Sequence, residues 1–469
     1  MNAIGRDELN RTAKVLMDGN QANNIDDAYR RLNDLVLQVE VGPDIATDLA
    51  AQPALLTTLN TGHRAMLGGV QVAITDNPDL SLPWARGQKL VEAIGEFRGV
   101  VVDQLDPDRP ALRIGTPLPR HQARHEVRLN LAWHGWCGGV SDSTGTESCE
   151  PAIPLAGVVA GALGISELFQ HLLGSPIAAR RTVGLSLWRP DLGWRSSDAL
   201  GPALQFLPNG LWLLGLGHLG QANAWNLGCL PYERPEELEV FLVEFDQIIK
   251  ANWSTGLLTD QSDIGRYKTR VVQAHLEALG HRTRLAERRF DDNTIPLPQE
   301  PGLALAGFDK PEPRRALGKK FSRVVDAGLG AGPTGYLDML IHSFPSQLTP
   351  MTAFEDHEKA DYPLAAAYES EISQRTGQGE PPGDALCGVI ELAGATAAAS
   401  FVGAIAGALS VADLLRILHG GRHYATISLD LRSPDNILTA LAIGLEQPTN
   451  PGFAPASIPT PRLDEDRAA

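Results

Sequence analysis

The chain contains little cysteine, and its four cysteines are widely spaced: Cys137, Cys149, Cys229 and Cys387. That spacing excludes paired Cys-x-x-Cys zinc ligation and favours a reduced, cytoplasmic protein. Positive charge is also scarce, because 40 Lys and Arg stand against 56 Asp and Glu. The resulting formal charge of −16 argues against nucleic acid or an anionic membrane as the main partner. Residues 1–15 lack the apolar segment of a signal peptide.

Long apolar runs are scarce as well, and the strongest membrane signal is residues 392–412, which carry no charge over about the length that spans a bilayer. This run is rich in Ala and Gly rather than Leu and Phe, and Glu391 and Asp413 flank it closely. We therefore expect a buried helix and no membrane partner. The 469-residue length predicts two to three domains, and 43% hydrophobic residues are enough for their cores.

One passage points to a chemistry, the apolar strand at 211–214 that runs into Gly215, Gly217 and Gly220. A strand, a glycine loop and a helix N-terminus in this order present backbone N–H groups to a nucleotide phosphate. A second strand then ends at Glu244, which fits an acid that binds ribose. This element predicts a nucleotide site, and it does not by itself distinguish NAD from ATP.

The residues that follow the glycine loop narrow the choice. Together they resemble the adenylating domain of the ubiquitin-activating enzymes and their relatives in thiamine and molybdopterin synthesis, the ThiF and MoeB type. The matching residues, in chain order, are Gly215, Gly217, Gly220, Glu244, Asp246, Asn252, Lys268 and Asp309. One position departs from the pattern, since Thr255 stands where the family carries an arginine that touches the nucleotide phosphates. Either another arginine replaces it or activity is weakened.

The resemblance implies a doubly wound, Rossmann-like α/β sheet and a set of roles for these residues. Glu244 would accept hydrogen bonds from the ribose, Asp246 would contact the nucleotide, and Asn252 and Lys268 would lie on the phosphate side. Asp309 would bind Mg²⁺, which prefers a carboxylate together with phosphate oxygens. The simpler alternatives are an ordinary strand-end acid at Glu244, a solvated helix residue at Lys268 and a helix N-cap at Asp309.

Thioester chemistry needs a cysteine, and the resemblance points to Cys387, just before the apolar helix. A thiolate at a helix N-terminus is stabilised by the helix dipole, which would suit attack on an activated protein tail. The alternative is a small buried apolar residue. Cys137, in the segment WHGWCGGV at 133–140, is the next candidate nucleophile, and packing between tryptophans is the simpler alternative.

A repeat within the chain suggests how the rest is organised. Residues 157–174 align without a gap onto residues 403–420, and eight of the eighteen positions are identical. Adenylating domains of this family pair two-fold, either as homodimers or as an inactive half fused to an active one. The resemblance therefore implies a degenerate, pseudo-symmetric half-domain at 1–205 and an active domain at 206–445.

Local patterns complete this division of the chain. Residues 1–100 have a mainly helical pattern, and residues 127–140 predict a strand followed by a glycine turn, which fits a decayed nucleotide loop. The acidic segment 345–386, broken by Pro and Gly, stands where the family has its mobile crossover loop. The Pro-rich end, 446–469, predicts a disordered tail.

The leading hypothesis is ATP-dependent adenylation of a ubiquitin-like or sulfur-carrier protein, followed by thioester formation, with a conjugating enzyme as a further partner. The pseudo-dimer would lie within one chain. An NAD(P)-dependent oxidoreductase is the main rival, although Glu244 lies 29 residues past Gly215, where about 20 is usual. A pseudoenzyme scaffold is a third reading, supported by Thr255. The product, whether thiocarboxylate, protein conjugate or an intermediate in antiphage defence, stays open.

Overall fold

Helices and strands alternate along most of the chain, as an α/β protein requires. The structure is a computed structural model that describes residues 9–118, 127–141, 152–318, 320–330, 332–355, 397–443 and 451–457. Its described α-helices are α1 (Arg11–Asp18), α2 (Ile25–Asp34), α3 (Ala51–Ala65), α4 (Leu90–Glu96), α5 (Pro154–Leu172), α6 (His218–Gly228), α7 (Lys268–Ala278), α8 (Pro311–Arg315), α9 (Gly332–Gly335), α10 (Pro350–Ala353) and α11 (Ser400–Leu418).

Two larger sheets and one small one hold the strands. The first sheet contains β1 (Leu37–Val41), β2 (Val70–Ala73), β3 (Gly99–Val101), β4 (Ala111–Ile114), β5 (Arg128–His134), β6 (Cys137–Ser141) and β7 (Val183–Ser186). The second contains β9 (Gly210–Leu214), β10 (Glu239–Val243), β11 (Arg282–Ala286), β12 (Leu303–Ala306), β13 (Arg323–Leu329), β14 (Asp338–Phe344), β15 (Tyr424–Asp430) and β16 (Leu438–Leu441). The small sheet pairs β8 (Phe206–Pro208) with β17 (Phe453–Pro455).

The two larger sheets have the same strand order. The first runs β3-β2-β1-β4-β5-β6-β7 and the second runs β11-β10-β9-β12-β13-β14-β15, with β16 added at its edge. In each, the first five strands pair in parallel and the next two pair antiparallel. This is a doubly wound arrangement. The order in which strands are added to the sheet reverses between β1 and β4 in the first sheet and between β9 and β12 in the second. The α/β expectation is therefore met in both halves.

The helices of the repeat occupy similar places beside the two sheets. A Cβ at Gly157 of α5 would meet the Ala50 carbonyl oxygen at 2.0 Å, and a Cβ at Gly403 of α11 would meet the His218 ring at 2.2 Å. Only glycine permits such close approach. The helices α5 and α11 also touch each other, since the rings of Phe169 and Phe401 are 5.8 Å apart. One hydrophobic core thus runs through both halves.

The first half departs from expectation in two places. The described part of residues 1–100 contains more helix than strand, as expected, but β1, β2 and β3 lie among the helices and the segment after Asp34 forms β1 rather than a helix. Residues 127–140 are not a decayed nucleotide loop. They form the antiparallel hairpin of β5 and β6, whereas the strand that corresponds in order to β9 is β1. The helical pattern misled because both faces of β1 are buried, which removes the strand alternation.

The chain's end also differs from the expected disordered tail. Within 446–469, the described residues 451–457 include β17, which pairs antiparallel with β8 in the connection between the halves. The described start of the expected crossover loop, 345–355, contains α10. The remainder of that loop lies outside the described residues, as do Cys149 and Cys387.

Two helices, Pro154–Leu172 and Ser400–Leu418, are long and apolar enough to cross a membrane by length and composition. Both are largely buried inside the fold. α11 covers most of the uncharged run, and it packs on α6 as the expected buried helix.

Candidate nucleotide-binding site

The glycine loop lies at the carboxyl edge of the second sheet, where β9 ends and α6 begins. Gly215 follows β9 with a φ of +78°, a left-handed conformation that favours glycine. A Cβ at Gly220 would lie 2.0 Å from the Gly215 carbonyl oxygen, so the first turn of α6 packs directly on the loop. Gly217 caps α6, and a Cβ there would meet nothing within 4 Å. The loop therefore leaves open space at a helix N-terminus, which favours an anion.

Glu244 follows the neighbouring strand β10 and is bonded to the glycine loop. Its Oε2 accepts a hydrogen bond from the backbone N–H of Leu216 at 3.1 Å. Its Oε1 accepts from the backbone N–H groups of Phe245 at 2.8 Å and Asp246 at 3.1 Å. The carboxylate thus connects the ends of β9 and β10, so Glu244 is more than an exposed strand-end acid.

Lys268 completes a cluster with the two acids. It is the first residue of α7, and its Nζ lies 3.2 Å from Asp246 Oδ2 and 3.9 Å from Glu244 Oε2. The lysine side chain is only 12% exposed. A solvated helix residue would not be held in this way. The structure brings together these three predicted residues, separated by up to 24 positions in sequence, at the edge of the glycine loop.

Asp309 lies on the other side of the loop, after β12. The preceding residues pack on the loop, since a Cβ at Gly215 would contact Phe308 at 3.0 Å. Asp309 is exposed, and α8 has Lys310 as its N-cap without a side-chain capping bond. Asp309 is therefore not the N-cap of α8.

The donor set suits a hard cation held jointly with a nucleotide. Within the described part of the chain, no three His, Cys, Asp or Glu side chains come together as a metal cluster. Mg²⁺ is commonly bound through one or two carboxylates, waters and substrate phosphates rather than by an all-protein cage. One exposed carboxylate at Asp309, beside the open glycine loop, fits that mode of binding.

Asn252 ends a short 3-10 turn, Lys250–Asn252, and begins the segment 252–259. Its Oδ1 accepts from the Ile249 N–H at 3.0 Å, and its backbone carbonyl accepts from the Gly256 N–H at 2.7 Å. Thr255 is buried within the segment. The segment packs on α6 through Gln221, whose Oε1 accepts from the Leu258 N–H at 3.0 Å. The conformation of 252–259 is therefore tightly defined by hydrogen bonds.

Sequence reasoning missed Arg11, which reaches the site from the first half. Arg11 begins α1, and its backbone N–H donates to the Ser254 hydroxyl at 3.1 Å. Burial lowers the pKa of its guanidinium to about 10, and the Asp309 carboxylate partly offsets this shift. Arg11 is partly buried, and its positive charge lies within electrostatic reach of Asp309. No local pattern marks residue 11, because its 298-residue separation from Asp309 is closed only by the tertiary fold.

His218 is more than a spacer within the glycine loop. As the first residue of α6, it packs against Gly403 of α11. Burial lowers its pKa to about 3, with the charge of Arg11 as the next cause. The ring is therefore neutral at pH 7. The positive charge near the loop therefore comes from other groups, among them Arg11, Lys268 and the helix N-terminus.

The described cysteines do not suit nucleophilic catalysis. Cys137 is buried, its Sγ donates to the Ala199 carbonyl at 3.2 Å, and burial raises its pKa to about 11. Its thiol is therefore protonated near neutral pH, which corrects its ranking as the second candidate nucleophile. Cys229 is also buried. Cys387 lies outside the described residues.

Comparisons with known proteins follow the two-part organisation. Two family descriptions match, "BilD N-terminal domain" over residues 36–187 and "BilD C-terminal domain" over residues 207–421. The chain is 36% identical over 430 residues to the bacterial E1-like protein BilD of Collimonas sp. (strain OK412), covering 90% of each chain.

Similarity to solved structures is more distant. Escherichia coli MccB matches with a TM-score of 0.32 and 14% identity, over 50% of this chain and 62% of that one, which is less than two thirds of MccB. E. coli TcdA, the tRNA N6-threonylcarbamoyladenosine dehydratase solved in complex with AMP, matches with a TM-score of 0.29 and 12% identity, over 45% of this chain and 86% of that one.

Proposed function

The chain belongs to the BilD family of bacterial E1-like proteins, and from that premise we propose that it uses Mg-ATP to adenylate the C-terminus of a small ubiquitin-like or sulfur-carrier protein. The carrier's carboxylate oxygen attacks the α-phosphorus of ATP, a P–O bond forms, and pyrophosphate leaves with the electron pair of the broken bond. Negative charge accumulates on the phosphate oxygens during this step. Catalysis is then mainly positioning and electrostatic stabilisation.

One observation carries the proposal: charged residues from both halves of the chain, among them Lys268, Asp309 and Arg11, lie around one glycine loop. The loop backbone would hold phosphates, and Lys268 would supply charge to them once ATP displaces it from Asp246. Arg11 would supply the positive charge that Thr255 lacks. Mg²⁺ held by Asp309 would neutralise part of the phosphate charge. Asn252 would fix the phosphate side, while Glu244 holds the loop and meets the ribose.

The two rival functions explain less of this geometry. An NAD(P)-dependent oxidoreductase has no use for Lys268 between two acids or for Arg11 beside Asp309. A scaffold without activity was suggested by Thr255 alone, and Arg11 offers a replacement arginine from the first half. We also propose that residues 1–205 are a degenerate copy of the adenylating unit, supported by the shared strand order, so that one chain binds one nucleotide.

ATP–pyrophosphate exchange with the purified chain and its carrier tests the adenylation. We expect carrier-dependent, Mg²⁺-dependent exchange in the wild type, with no comparable binding of NAD by calorimetry. Asp309→Ala should reduce exchange at least 100-fold, because removal of a charged transition-state contact costs on the order of 3 kcal/mol. Asp292→Ala, at another exposed acid, is the matched control. Tighter NAD binding, or full exchange in Asp309→Ala, would contradict the proposal.

A second step would transfer the carrier from AMP to a thiolate, forming a thioester as AMP leaves. Cys387 is the candidate, because the family resemblance points to it and because Cys137 and Cys229 are buried. Cys387→Ala should keep pyrophosphate exchange within about twofold, because the thiolate acts after adenylation, and lose any reductant-sensitive adduct with the carrier on non-reducing gels. Cys137→Ala should retain that adduct. An adduct that survives Cys387→Ala would place the nucleophile elsewhere.

A further inference from the structure

Arg64, in the last turn of α3, is a buried arginine whose acceptors are all neutral oxygens. Its Nε donates to the Asn60 carbonyl at 3.1 Å and to Asn60 Oδ1 at 2.9 Å. Its Nη1 donates to the backbone carbonyls of Trp253 and Thr259, the latter at 3.1 Å. Burial lowers the pKa of Arg64 to about 9, with partial compensation from Asp260. Burying a guanidinium without a bonded carboxylate is unfavourable, so the arrangement calls for a reason beyond packing.

Two neighbouring asparagines extend this network, Asn60 to the segment 253–259 and Asn10 to the start of α1. Asn60 Nδ2 donates to the Leu257 carbonyl at 2.9 Å. The Arg64 carbonyl in turn accepts from Asn10 Nδ2 at 2.9 Å, and Asn10 is the N-cap of α1, whose first residue is Arg11. Arg64 and Asn60, which we call the α3 clamp, therefore connect first-half residues to the backbone of 253–259 and to the start of α1.

The position of the clamped segment matters for the nucleotide. Residues 253–259 directly follow Asn252 and pack on α6, whose N-terminus is capped by Gly217 of the glycine loop. The segment is not a strand of either larger sheet, so no sheet ladder holds it. Without the hydrogen bonds from Arg64, Asn60 and Gln221, a segment of this kind could adopt other conformations, and nucleotide binding would then have to select the correct one.

We propose that the α3 clamp is a positioning device of the first half, which holds 252–259 and the start of α1 in the conformation that binds Mg-ATP in the second half. This inference rests on the proposed function for its kinetic test. Arg64 and Asn60 act through Asn252 and Arg11 rather than by touching the nucleotide. The first half would thus set nucleotide affinity through α3, in addition to supplying Arg11.

The expected signature separates positioning from simple stability. A loosened segment weakens ground-state and transition-state binding alike, which raises KM and leaves kcat nearly unchanged. Arg64→Lys and Asn60→Ala should each raise KM for Mg-ATP in pyrophosphate exchange about tenfold, with kcat within twofold. In the nucleotide-free protein, amide hydrogen exchange at 253–259 should accelerate.

Arg181→Lys is the matched control, because Arg181 also extends from the first half to a second-half backbone carbonyl, that of Arg432, at 2.7 Å. This variant should change neither KM nor exchange at 253–259. The inference is overturned if Arg64→Lys and Asn60→Ala keep the wild-type KM, or if Arg181→Lys raises KM equally, which would indicate general loosening of the halves. If Arg64→Lys does not fold, Asn60→Ala decides.

Failure of the proposed function would look different. A wild-type chain without any pyrophosphate exchange would refute adenylation, and Mg-ATP calorimetry together with hydrogen exchange would then decide the clamp. Weaker Mg-ATP binding with faster exchange at 253–259 in the clamp variants, and not in Arg181→Lys, would support it. Unchanged affinity or unchanged exchange in the clamp variants would overturn it.

Discussion

The two sheets differ at the carboxyl edge of their central strands. This place is closed between β1 and β4 in the first half, and it is open between β9 and β12 in the second half. In the first half, Gly42 follows β1, and the carboxylate of Asp44 accepts hydrogen bonds from the backbone N–H and hydroxyl of Thr116, just after β4, at 2.9 and 3.0 Å. In the second half, a Cβ at Gly217 would meet nothing within 4 Å, and the Glu244 carboxylate bonds the neighbouring Leu216 N–H from the β10 side and leaves that space open. A built-in anion occupies the region where a phosphate would bind, so a shared fold does not give a shared site.

The lysines near these two places also differ, since the one in the first half is more exposed than the one in the second half. Lys89 precedes α4, which follows β2 as α7 follows β10, and it pairs with Asp79 at 2.9 Å with both side chains about half exposed. Lys268 of α7 is nearly buried between two acids. The first half contributes Arg11 to the second half's loop, so the asymmetry is that of a supporting half and a binding half.

Replacement of Lys268 in the second half and of Lys89 in the first half should give the largest difference in pyrophosphate exchange. Lys268→Ala should reduce pyrophosphate exchange about 1,000-fold, because the transition state loses a positive charge and two acids lose their partner, whereas Lys89→Ala should stay within twofold. Steady-state exchange at saturating carrier measures both variants. Comparable losses in both would mean that the two halves share the chemistry and that the first half is not degenerate.

Arg11 tests whether the first half contributes charge directly. Arg11→Ala should lower kcat/KM for exchange about 100-fold, because the transition state would lose a partly buried positive charge that acts in a reduced dielectric. Arg31→Ala is the control, because Arg31 lies on α2, where its half-exposed side chain pairs with the buried Asp27 at 3.3 Å. Activity in Arg11→Ala equal to that of the control would remove the first half from catalysis and strengthen the scaffold reading.

The smallest expected difference between the halves is in how acid affects stability. It concerns the helix contacts of the repeat, where Gly157 packs on Ala50 in the first half and Gly403 packs on His218 in the second. His218 has a folded pKa of about 3, below the ordinary value of 6.5. Its contribution to stability is therefore present above pH 6.5 and lost as pH falls below it. Between pH 7 and 5 the loss should be about 2 kcal/mol.

Urea unfolding at the two pH values measures this loss. His218→Ala should be less stable than wild type at pH 7, because it leaves a cavity against α11, and should lose about 2 kcal/mol less on acidification. His218→Gln keeps more of the volume and should show the same reduced pH dependence. An undiminished pH dependence in both variants would assign the acid sensitivity to other groups.

The sequence predicted the second half's loop well, because its signals are local. Gly215, Gly220 and Glu244 come together through one βαβ unit, and Lys268 starts the next helix, so short-range periodicity and glycine placement were enough to locate them. The first half escaped prediction for a physical reason. β1 is buried on both faces and lacks alternation, and its loop is closed by Asp44, so neither a strand signal nor a glycine motif remained to be recognised.

By itself, the sequence determined the glycine loop, the acid and lysine that meet beside it, and the matching glycines of α5 and α11, since these depend on local conformation and close helix packing. The tertiary structure alone decided which charges complete the site. Arg11, Arg64 and Asn60 lie about 190 to 300 residues from their partners in sequence. Contacts over such separations leave no periodic trace in one sequence, because they form only when the two halves pack against each other.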